Sequence, residues 1–115
     1  MEGKQAQSKG TYVDRIASLK EFLSQQPDDS FLQHALALEY IKLGDDASAR
    51  ALFERILTRD PGYVGSYYQL AKLLERNNDI AGALAWYEKG ITAARQAGEQ
   101  RAYNELRSAF DELSF

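Results

Sequence analysis

The chain has 115 residues, 44% hydrophobic and 27% charged, with no cysteine and a formal net charge of −3. That length holds one ordinary domain, and the lack of cysteine rules out disulfides, a thiolate nucleophile and a zinc–thiolate site. Its 14 Lys and Arg are scattered among 17 Asp and Glu, which argues against nucleic-acid binding; with no long apolar run and no apolar leader, no membrane association is expected and the cytoplasm is the default location.

Residues 1–10 are polar, contain two glycines and carry no apolar pattern, so a disordered tail is expected there. A single domain is expected from residue 11 to 115. Its first helix, residues 12–26, carries Val13, Ile16, Leu19, Phe22 and Leu23 and stops at Pro27. A helical pair follows over residues 28–61. Phe31, Leu32, Ala35, Leu36, Leu38 and Leu43 line its first helix. Gly44 supplies a left-handed stop, and Asp45 or Asp46 caps the second helix, whose buried face is Ala49, Leu52, Phe53, Ile56 and Leu57.

Residues 62–97 repeat this pair. Tyr67, Leu70, Ala71 and Leu74 are followed by a break at Asn77–Asp79, where Asn78 takes the place of Gly44. Ala83, Leu84, Tyr87 and Ile91 then form the second apolar face. A terminal helix over residues 99–114 carries Tyr103, Leu106, Phe110 and Leu113. A strict 34-residue period would turn Asn104 and Ser108 inward; a two-residue insertion near residues 96–99, where Gly98 breaks the helix, turns Tyr103, Leu106 and Phe110 inward and is preferred.

The two prolines, Pro27 and Pro61, lie 34 residues apart. The same shift lays Leu36, Ala37, Asp45, Ala49, Phe53 and Leu57 on Leu70, Ala71, Asp79, Ala83, Tyr87 and Ile91. A period of about 34 in helical sequence marks stacked helix–turn–helix units. The pattern Leu36-Ala37, Tyr40, Gly44-Asp45, Ala49, Phe53 and Pro61 resembles a tetratricopeptide repeat, and so do Tyr67, Leu70-Ala71, Asp79, Ala83 and Tyr87. Departures are Gln33 at the usual first-helix aromatic, Gly90 at a small alanine and Arg95 at the closing proline. The resemblance implies an all-α fold, a right-handed α-α superhelix (solenoid) of about six helices, with two full repeats flanked by half repeats.

Positive signs of an enzyme are missing. His34 is the only histidine, and it lacks the partners that catalysis or metal binding needs. The pairs Asp28-Asp29 and Asp45-Asp46 sit where helices begin, so they read as caps rather than calcium ligands. Gly62 and Gly65 do not form a phosphate loop. Neither catalytic residues, a metal nor a cofactor is expected.

In the family that the chain resembles, first helices line a concave groove that holds peptides. The resemblance places Phe31, His34, Leu38, Ile41 and Lys42 there from the first unit, and Tyr68, Gln69, Lys72, Glu75 and Arg76 from the second. Arg101, Asn104 and Ser108 join them in the insertion register. Members that clamp an acidic chaperone tail do so with Lys, Asn and Arg; here His34 and Leu38 occupy first-unit positions, with Gln69 and Arg101 as partial substitutes. The expected function is therefore a protein-interaction module holding a peptide or helix of a partner in an apolar-to-mixed groove. The alternative is self-association, a homodimer through the apolar groove or the ends.

Overall fold

The computed structural model describes residues 7–115, with side chains from residue 13 onward. Among these residues the fold is all-α: α1 (Gln7–Gln25), α2 (Ser30–Leu43), α3 (Asp46–Arg59), α4 (Gly65–Arg76), α5 (Ile80–Ala97) and α6 (Gln100–Leu113). Of the tail expected over residues 1–10, residues 1–6 lie outside the described residues, and residues 7–10 form the start of α1. The chain divides into two compact units between Leu52 and Phe53, inside α3.

In the first unit α1 packs against α2. Only Ile16 of the expected α1 stripe is buried; Leu19 and Leu23 are half-buried, while Val13 and Phe22 are exposed. The reason is geometric: Val13 and Phe22 are nine residues apart, about two and a half turns, and so fall on opposite flanks of the Ile16–Leu23 line. Leu36 and Ala37 are buried on α2, but Phe31 and Leu43 of the expected stripe are exposed. Two polar residues are buried instead. Gln33 is 2% exposed and donates from Nε2 to the Pro27 carbonyl at 2.8 Å. Glu39 is 7% exposed and receives Arg15 from α1 at 3.1 Å and Lys42 at 3.4 Å. A buried carboxylate held by two cations avoids much of the cost of desolvation.

Helix ends follow local chemistry. The Asp29 carboxylate accepts from the Leu32 N–H at 2.9 Å, and Asp45 accepts from the Ser48 N–H at 3.1 Å and hydroxyl at 2.7 Å. Asp79 caps α5 through the Gly82 N–H at 2.9 Å. These carboxylates satisfy N–H groups that have no partner within their own helix. Three helices end in a left-handed residue: Gly44 (φ 90°), Asn78 (φ 68°) and Gly98 (φ 72°). After each, the next N–H returns to a carbonyl five residues back, as in Asp45 to Tyr40 at 2.8 Å and Asp79 to Leu74 at 2.8 Å. Such closures satisfy the last carbonyls and turn the chain sharply.

The second unit packs α4 against α5 and α5 against α6. Its core holds Phe53, Ile56, Leu57, Tyr67, Leu70, Ala71, Leu73, Leu74, Ala83, Tyr87, Ile91, Ala94, Leu106 and Ala109. Full burial of a large apolar side chain contributes about 1.5–3 kcal/mol. In α6 Leu106 is buried, Tyr103 and Phe110 are half-buried, and Asn104 and Ser108 are exposed. This is the insertion register.

Candidate functional site

On the second unit, α4 and α6 border a concavity of about 520 Å³. From α4 it is lined by Tyr68 and Lys72, one turn apart and therefore on one face. From α6 come Asn104, Glu105, Ser108, Ala109 and Glu112, which the same periodicity gathers on one stripe.

The α4 side chains are held by a polar network. Lys72 Nζ lies 3.7 Å from the Glu75 carboxylate and 5.7 Å from the centre of the Tyr68 ring. That ring is 6.2 Å from the ring of Tyr87, which is fully buried and donates its hydroxyl to Glu75 at 2.9 Å. Burial first, then the Glu75 hydrogen bond and charge, push the Tyr87 phenol well above its ordinary range. Tyr87 thus stays protonated and remains a donor to Glu75 at neutral pH. On α6, the Gln100 amide donates to Asn104 Oδ1 at 3.0 Å.

The sequence-predicted residues are distributed unevenly. Tyr68 and Lys72 line this concavity with Asn104 and Ser108. Gln69, half-buried on α4, and Arg101, exposed on α6, do not line it. Phe31, His34, Leu38 and Ile41 all belong to α2 in the first unit; Phe31 is exposed and the other three are half-buried. Burial holds the His34 imidazole below its usual titration range. A second hollow of about 400 Å³ between α1 and α2 is lined by Asp14, Arg15, Ser18, Leu19, Ala35 and Glu39, and by none of those four.

Sequence reasoning missed Glu105, Ala109 and Glu112. Part of the signal was present: Glu112 is one turn on from Ser108, and Glu105 and Ala109 are one turn apart on the flank beside Asn104 and Ser108, about 100° further round the helix. No three His, Cys, Asp or Glu side chains among the described residues come together as a metal site would need. No helix among them is long and apolar enough to cross a membrane.

Comparison with known proteins agrees with the repeat. A family model described as "Tetratricopeptide repeat" matches residues 40–110. A TPR repeat-containing protein of Pseudomonas aeruginosa is 29% identical over 91 residues, which cover 79% of this chain and 87% of that one. A tetratricopeptide repeat domain protein from Salinibacter ruber, solved by NMR, is 41% identical with a TM-score of 0.73, covering 76% of this chain and 88% of its own. The TPR2B domain of yeast Sti1, solved in a complex with pHsp70, shares the fold at a TM-score of 0.83 with 20% identity, covering 98% of this chain and 90% of its own. With its 34-residue period, paired helices and matching relatives, this chain belongs to the tetratricopeptide repeat family.

Proposed function

We propose that this chain binds a peptide segment of a partner protein on the α4–α6 face of its second unit. Tetratricopeptide repeat domains generally mediate protein–protein interaction, and the Sti1 domain was solved in a complex with pHsp70. The observation that carries the reading is the concavity itself, where Tyr68, Lys72, Asn104 and Ser108 converge from two helices. An aromatic ring beside amide and hydroxyl groups can hold both the side chains and the backbone of an extended peptide.

A displayed library of random peptides, selected on the full chain, tests this reading. Binders should lose affinity for a Tyr68→Ala/Ser108→Arg variant whose helical circular dichroism is unchanged, because the arginine fills an exposed hollow without entering the core. Binding that survives both changes would sink the assignment.

A second reading, self-association, draws on the first unit. Phe22 and Phe31 are 57% and 69% exposed. The Arg15–Glu39 bridge and the short Gln26–Asp29 turn make α1 and α2 antiparallel, which brings both rings toward the turn end of the pair. Exposed apolar side chains at one level of a helix pair suit a copy-to-copy contact. Sedimentation equilibrium decides it: a dimer that a Phe22→Ser/Phe31→Ser variant dissociates supports this reading, and a strict monomer rejects it.

A further inference from the structure

We infer that the segment held on the α4–α6 face is cationic, a peptide bearing Lys or Arg; this rests on that face being the peptide site. The charge around the concavity is one-sided once internal pairs are set aside. Lys72 is its single basic lining residue, and Glu75 at 3.7 Å and the Tyr68 ring already engage it. Next along α6, Arg107 lies 3.5 Å from Asp111, so that pair adds no net charge. Glu105 and Glu112 remain. Both are exposed, both line the concavity, and neither has an ion pair among the described residues.

The buried hydroxyl of Tyr87 is committed to Glu75 and offers no donor to an incoming anion. An acidic peptide would therefore meet two carboxylates with little to offset them, whereas a basic one would neutralise both. Their spacing adds a geometric requirement. Seven residues along a helix span about 10 Å, close to the roughly 9 Å between same-side residues of a polyproline-like segment three positions apart. Two cations so placed can meet Glu105 and Glu112 together, while Ser108 between them, and Asn104 beside Glu105, face the peptide backbone.

The same displayed library, selected at low salt and followed by amide-shift mapping of a chosen binder, tests the charge and the location separately. The expected binders are enriched in Lys and Arg and perturb the amides of α4 and α6. A Glu105→Gln/Glu112→Gln variant should bind a selected basic peptide about three- to tenfold more weakly, with a flatter salt dependence. Binders that perturb α4 and α6 without basic enrichment, or a basic peptide indifferent to the double change, overturn the cationic assignment and leave the peptide face standing. Binders that perturb other helices, or a library that yields none, overturn the peptide face and this inference with it.

Discussion

Tyr67 and Gly90 approach so closely that no methyl group fits between their helices: a Cβ on Gly90 would lie 2.6 Å from Tyr67 Cβ and 3.1 Å from Leu106 Cδ2. The glycine that departs from the repeat pattern is thus what lets α4, α5 and α6 pack around one aromatic ring. Gly90→Ala gains helix propensity of about 1 kcal/mol but forces overpacking that costs about 1–3 kcal/mol. A net loss is expected, read as a lower midpoint of urea unfolding.

Tyr67 also ties the start of its helix to the preceding turn, donating its hydroxyl to the Pro61 carbonyl at 2.6 Å. Tyr67→Phe keeps the ring and removes that bond, so stability should fall by about 1 kcal/mol. Burial, and secondarily the charge of Asp60, raise this phenol above its ordinary range. In an ultraviolet pH titration the wild type should therefore show one late-ionising tyrosine that the variant lacks, apart from Tyr87.

Among the described residues, Arg15 is what ties α1 to the buried Glu39, at 3.1 Å. Arg15→Met leaves Lys42 as the remaining cation beside that carboxylate. Exposed or half-exposed pairs contribute little, so the global loss should be about 1 kcal/mol or less. The larger effect is local: amide exchange in α1 should quicken while exchange in α4 and α5 stays unchanged. Uniform acceleration through both units would contradict this.

His34 gives the first unit a pH response. Its folded pKa lies below the ordinary histidine value of about 6.5 because burial disfavours the imidazolium. The unfolded chain then binds more protons between the folded value and 6.5, so stability rises with pH across that window. The contribution is full above pH 6.5, is lost as pH falls, and levels off below the folded pKa. Unfolding midpoints measured from pH 7.5 to 4.5 should show this slope, and a His34→Gln variant should flatten it.

Much of the fold was legible because repeat chemistry is local. Pro27 and Pro61 cannot continue a helix interior, Gly44, Asn78 and Gly98 take left-handed conformations, and Asp29, Asp45 and Asp79 cap the helices that follow. Each of these depends on a few neighbouring residues, so spacing places them to within a residue; the choice of Asp45 over Asp46, and of Asp29 over Asp28, came from the structure. The candidate site was half legible for a related reason. Tyr68, Lys72, Asn104 and Ser108 follow from helix periodicity once the α6 register is chosen, whereas Glu105 and Glu112 went unnoticed because an exposed carboxylate looks like any solvated surface residue until a concavity surrounds it.

Tertiary structure decided which side chains go inside and what they meet there. Gln33 was a mismatch to the repeat pattern, yet it makes the same bond to Pro27 that Tyr67 makes to Pro61, at 2.8 Å and 2.6 Å. Glu39 is buried because Arg15, 24 residues earlier, reaches it. Gly90 is required by a ring on another helix. The sequence by itself determined the period, the helix ends and the stripes, since these are set within one or two turns of backbone. Which polar residues go inside, which apolar ones stay out, and which carboxylates share a hollow were set only when separate helices met.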